Sequence, residues 1–146
     1  MIFGVIGLPI ARIVMNKIGM KWAMYVFVSI MIFGFLSLSL VTTYELSVVF
    51  FSVIGFGFVG KNLLLFPMLM DVIDEDELAC GIRREGAFFG ANALITKPAE
   101  SVAAQIFLPI ITYFGYNPNF AHQLPTAIFG IKLVMLILPS IFLGIG

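Results

Sequence analysis

Six of the eight acidic residues and two of the eight basic ones lie between Asp71 and Glu85, with long apolar runs on both sides. A charged segment of this kind must reach water or pair its charges internally, while its flanks are driven into hydrocarbon. Composition points the same way. The chain is 61% hydrophobic and 11% charged, with a mean hydropathy of +1.11. Soluble domains run at roughly 45–50% apolar and about 25% charged. The expected fold class is therefore an all-α integral membrane protein. A formal charge of zero provides no bulk attraction for nucleic acid. The single Cys80 cannot form an internal disulfide, which fits a segment facing a reducing compartment.

A helix needs about 20 apolar residues to cross roughly 30 Å of hydrocarbon. Five spans are expected: about 1–15 (partial, with Pro9 as a tolerated kink), 22–44, 46–70, 86–116 and 126–146. Trp22 and Tyr44 suit the two interfaces of the second. The connections at 16–21 and 71–85 carry Arg12, Lys17 and Lys21 nearby, and Arg83 with Arg84. The other two connections carry no base, so the basic pair is expected on the cytoplasmic side. Met1 opens directly into an apolar run with no basic region, unlike a secretory signal. Both termini lie in apolar sequence, and the chain is expected to be a piece of something longer.

Several motifs have ordinary explanations. Gly55-Phe-Gly-Phe-Val-Gly60-Lys61-Asn62 satisfies GxGxxG and nearly a phosphate loop. It lies inside an apolar span, however, and Asn62 stands where the hydroxyl residue belongs. Gly86-Ala-Phe-Phe-Gly90 is a GxxxG, best taken as ordinary helix packing. The acids from Asp71 to Glu77 lack EF-hand spacing, so a solvated turn or an ionic cluster with Arg83 and Arg84 is expected. His122 stands alone in a polar loop. No nucleophile–base or metal-ligand spacing supports an enzyme, and no cofactor is expected.

Lys61, Lys97, Glu100 and Lys132 fall inside apolar runs. A charge at mid-span costs about 2.5–3.5 kcal/mol on insertion scales, and such residues mark functional pathways by default. Lys132 lies close enough to Pro125 to snorkel outward. The role of Lys61 is left open. Lys97 lies roughly 18 Å along its helix from Glu85. With Glu100, Ser101 and Gln105 it shares an arc of about 140°, beside Pro98. A transport pathway is the expected role; simple neutralisation of Glu100 at i+3 is the alternative.

Asp71-Val-Ile-Asp74-Glu-Asp-Glu77, Arg83-Arg-Glu85-Gly and Lys97 together resemble the glycoside–pentoside–hexuronide:cation symporters. These form the melibiose-carrier group of the major facilitator superfamily. Ile111-Thr-Tyr-Phe-Gly-Tyr-Asn-Pro118 is similar to the outer end of that family's eleventh helix, and Leu8-Pro9 with its basic turn agrees more loosely. The resemblance implies five helices, the first partial, from the C-terminal six-helix half of a twelve-helix fold in the plasma membrane. It assigns Asp71, Asp74, Glu77, Arg83 and Glu85 to a cytoplasmic gate, where the adjacent Arg84 is expected to join them. Lys97 would face a Na⁺ or H⁺ site carried mainly on the N-terminal half, with Glu100, Ser101 and Gln105 along the same pathway. The partners implied are the bilayer, that other half and a small solute. Family branches carry sugars and, in at least one case, lysophospholipid. Lys61 and the additional base at Arg84 depart from the melibiose-carrier pattern. Outside that family, a non-transporting membrane scaffold is the other reading.

Overall fold

In lipid every backbone N–H and C=O must be satisfied within its own segment, so apolar runs of this length become helices. The computed structural model describes residues 2–120 and 122–145, with side chains from residue 9 onward. The expected outer limits at Met1 and Gly146 lie outside the described residues. In chain order the helices are α1 (Ile2–Ile18), α2 (Met20–Leu40), α3 (Tyr44–Cys80), α4 (Glu85–Tyr113), α5 (Pro125–Lys132) and α6 (Leu138–Ile145). A π-helical segment, Leu133–Ile137, joins α5 to α6. Among the described residues four stretches are long and apolar enough to cross a membrane: α2, α3, α4, and Pro125–Ile145 taken together. No strand occurs among the described residues.

The contacts divide the chain into two compact units. One comprises residues 1–66 with 135–146 and the other residues 67–134. The first is organised on α2. Its buried residues, Ala23, Phe27, Met31, Gly34 and Leu38, recur at spacings of three and four and form one continuous stripe. Helices α1 and α6 pack on α2, and α3 approaches it closely through glycine. A Cβ at Gly57 would lie 2.9 Å from the Phe27 carbonyl oxygen and 2.6 Å from Met31 Cγ. One at Gly34 would lie 2.6 Å from Ile54 Cγ1, and one at Gly60 would run into the Phe27 ring. Phe27 also meets Phe56 with ring centroids 5.8 Å apart. The GxGxxG pattern is thus a helix surface shaved to admit a neighbour, as in small-residue membrane packing. Gly55, with nothing within 4 Å, takes no part in it.

In the second unit α3 does not stop at Met70. It continues to Cys80, through ten residues expected to form a loop. Asp71 to Ala79 contains no breaker, and charged helix formers need no loop once they are in water. At 37 residues α3 is roughly 55 Å long, well beyond the roughly 30 Å of a hydrocarbon core. It ends at Gly81, whose φ of +71° suits glycine and whose N–H donates to the Glu77 carbonyl at 2.8 Å. Helix α4 then packs on α5, with Ile111 and Ala127 buried. The Phe114 ring sits over Gly130, where a Cβ would lie 2.6 Å from Phe114 Cβ. Gln123 closes the intervening loop. It donates to the carbonyls of Asn117 (2.7 Å) and Phe120 (2.9 Å), and its side-chain oxygen accepts from the Asn117 N–H.

Gly57→Ala forces a Cβ against backbone and is expected to destabilise the protein by about 1–3 kcal/mol. Gly55→Ala, in open space within a helix, is expected to be neutral or stabilising. Thermal unfolding midpoints of the full-length protein in detergent distinguish the two; an equal loss in both would contradict this packing.

Candidate functional site

Two polar constellations stand out from the apolar surface, both in the second unit. The first surrounds the four-residue turn from Gly81 to Arg84. Arg83 and Arg84 are adjacent, so their side chains reach back to different sides of the end of α3. Arg83 is a hub. Its Nη1 donates to Asp74 Oδ1 at 3.0 Å and to Glu77 Oε2 at 2.8 Å, and its Nε donates to Glu85 Oε2 at 3.3 Å. Asp74 and Glu77 share one face of α3 at i, i+3, while Glu85 stands in the first turn of α4. One guanidinium therefore joins three carboxylates from two helices. Arg84 makes a two-pronged contact with Asp76: Nε to Oδ2 at 3.1 Å and Nη2 to Oδ1 at 2.7 Å. Its Nη2 also lies 3.2 Å from Cys80 Sγ. The Glu77 and Glu85 hydrogen bonds raise the Arg83 pKa above its ordinary value, and the Asp76 bond does the same for Arg84. Both stay charged at any physiological pH.

This cluster differs from the expected one at two positions. Asp71, placed in the gate by resemblance, lies a turn earlier on α3 and forms no ion pair among the described residues. Asp76, expected in an ionic cluster with the arginines but left out of the gate by the resemblance, is the best shielded of the paired acids, with 20% of its side chain exposed. The available signal was the second arginine: two adjacent bases cannot share one carboxylate face. Asp74, Asp76, Glu77 and Glu85 are occupied by guanidinium groups, and exposed pairs of this kind add little stability individually.

The second constellation is the stripe on α4. Lys97 Nζ lies 3.1 Å from Glu100 Oε2, with 73% and 67% of the two side chains exposed. Ser101 Oγ donates to the Lys97 carbonyl at 3.2 Å. Gln105 is exposed one turn further on. The structure thus shows the i+3 neutralisation that stood as the alternative to a transport role, on an open face and not in an enclosed cavity. Every residue from Gly90 to Ile106 is exposed, large aliphatics included. The charged pair thus sits near the middle of an apolar face that no other described element covers. The glycines of the GxxxG, Gly86 and Gly90, also have nothing within 4 Å.

Lys61, in the first unit, lies beside the glycines that admit α2. Its Nζ is 5.8 Å from the centroid of the Phe58 ring, and it makes no ion pair among the described residues. His122 is exposed.

Comparison with known proteins agrees with this helical, membrane-adapted architecture. A Salmonella typhimurium protein named for sulfoquinovose import is 31% identical over 96 residues, covering 64% of this chain and 20% of that protein. The chain thus spans about a fifth of the length of the relative it matches. The profile of the MFS/sugar transport protein family matches residues 1–146, the whole of the chain. With its four candidate membrane helices, the chain is a multi-pass membrane protein belonging to the MFS/sugar transport family.

Proposed function

We propose that the chain is the C-terminal part of a secondary carrier of the melibiose-carrier type, which couples Na⁺ or H⁺ entry to uptake of a sugar or sugar derivative. The observation that carries this is the uncovered α4 stripe. Lys97 and Glu100 are charged in an apolar run, and no other described element encloses them. An intramembrane charge is retained only if it meets a partner or a wet cavity. Here the partner would be the carboxylates of the cation site on a preceding N-terminal half. When the cation binds those carboxylates, the ammonium is released from them. Cation and substrate are then coupled through a shared competitor and need not touch. The Glu100 contact gives Lys97 a resting place in that phase of the cycle. The relative named for sulfoquinovose import favours a sugar over a lipid-like solute.

In the same reading the Arg83 and Arg84 cluster faces the cytoplasm and belongs to the inner gate. Its charges pair within the chain when the gate is open and exchange to the other half when it closes. Weak, exposed pairs suit that exchange, because both states must be populated in each cycle.

In the full-length carrier, Lys97→Ala is expected to abolish uphill sugar accumulation while leaving membrane insertion intact. The double variant Lys97→Ala/Glu100→Ala decides between the two roles. If Lys97 only neutralises Glu100, the double variant recovers transport; if Lys97 answers to the cation site, it remains inactive. Wild-type uptake by the single variant would end the proposal.

Arg83→Ala removes three carboxylate contacts at once and is expected to shift the inward/outward distribution further than Arg84→Ala, with little change in cation affinity. Cysteine accessibility from each side of the membrane reports that distribution. An unchanged balance in both variants would remove the cluster from the gate.

A further inference from the structure

The transport reading makes no use of Lys61, yet the structure builds a cavity around it. Met24, Tyr25, Val28, Ser29 and Ile32 of α2, Lys61 of α3, and Phe142 to Gly144 of α6 enclose about 390 Å³. That falls within the roughly 300–1,000 Å³ typical of small-molecule sites. All these residues belong to one compact unit. The lining contains one cation and no acid. Ser29 Oγ donates its proton to the Tyr25 carbonyl at 2.7 Å, so the side-chain donors left in the lining to meet an anion are the Lys61 ammonium and the Tyr25 phenol. The remaining walls are aliphatic or aromatic.

The position of the cavity is fixed by helix register. Gly57 packs against Met31 and Gly60 against Phe27, so α3 runs antiparallel to α2. Lys61, the next residue, is therefore level with the first turns of α2. Phe27 is only about 7.5 Å along the helix from Trp22. Trp22 is exposed and sits 6.0 Å from the Tyr25 ring, an aromatic pair suited to the membrane interface. The Lys61 ammonium lies 5.8 Å from the centroid of the Phe58 ring, and the lysine lines the cavity together with Met24 and Tyr25. Lys17 and Lys21 lie at the same end of α2. By the distribution of bases this end faces the cytoplasm, where the leaflet is rich in anionic lipid.

We propose that this cavity binds one anionic phospholipid of the cytoplasmic leaflet. Its phosphate lies against Lys61 and Tyr25, and an acyl chain runs over Val28, Ile32 and Phe142. A negative headgroup neutralises Lys61, an intramembrane cation with no ion pair among the described residues. The apolar walls retain the tail, which a free anion would lack. The inference shares the membrane orientation of the transport reading but needs neither cation coupling nor a particular solute. It can therefore fail while that reading stands.

The test uses the full-length protein in phosphatidylcholine nanodiscs doped with phosphatidylglycerol, with retained lipid counted by native mass spectrometry. Wild type is expected to retain phosphatidylglycerol over phosphatidylcholine with about a fivefold preference, equivalent to about 1 kcal/mol. Lys61→Gln should lose that preference, Lys61→Arg should keep it, and Val28→Trp, which fills the cavity without touching the charge, should also lose it. Retention of the preference in Lys61→Gln and Val28→Trp overturns the proposal. So does its displacement by inorganic phosphate or a sugar phosphate, which would make the cavity a solute site. Absence of any preference in wild type overturns it too, whether the cavity is empty or covered by another part of the full-length chain. Should Lys61→Gln fail to fold, the Lys61→Arg and Val28→Trp pair decides alone.

Discussion

A positive charge is costly in hydrocarbon, and where this chain puts its cations governs what its helices must do. Arg83 and Arg84 escape the problem at the water-exposed end of an overlong α3, held by carboxylates on α3 and α4. Lys97 carries a counter-ion one turn away on its own helix. Lys61 has an aromatic face beside it and lines a cavity. These are three answers to one penalty. The pair in the middle of an uncovered helix differs from the others in that its face is still open.

The apolar scaffold is what makes those positions definite. Helices in lipid gain no hydrophobic free energy from meeting one another, so contact depends on close fit. The α2 stripe and the glycines of α3 provide that fit, bringing backbone within contact distance of backbone at Gly57. Because the fit is close, the register between α2 and α3 has little freedom, and Lys61 is held level with Tyr25 rather than Ile32. A looser pair of helices could slide, and the ammonium would lose its place in the cavity lining.

Much of this was legible from residue order. The membrane class follows from composition, and the pairing of the acidic stretch with Arg83 and Arg84 follows from their proximity. Two things were harder to read. The continuation of α3 to Cys80 was hidden because a dense run of charge resembles a loop when the eye is following hydropathy; helix propensity, not polarity, decided it. Asp76 was legible only as one acid of the stretch from Asp71 to Glu77, because a resemblance supplies the acids a family shares and says nothing of the one that answers an additional arginine. The role of Lys97 could not be decided by periodicity at all. Spacing places Glu100 and the lysine on one face, but whether another body meets that face is a property of what packs there.

The turn between α3 and α4 has a further consequence. Only four residues separate the helices, and both arginines in it reach backward to the helix just completed. The connection therefore works as a clasp and not as a tether: its length is matched to the span between Asp74 and Glu85. Lengthening it by even a few flexible residues would leave both helices intact and every charge in place. Yet it would uncouple the tilt of one from the other, since no guanidinium could then hold Glu77 and Glu85 together.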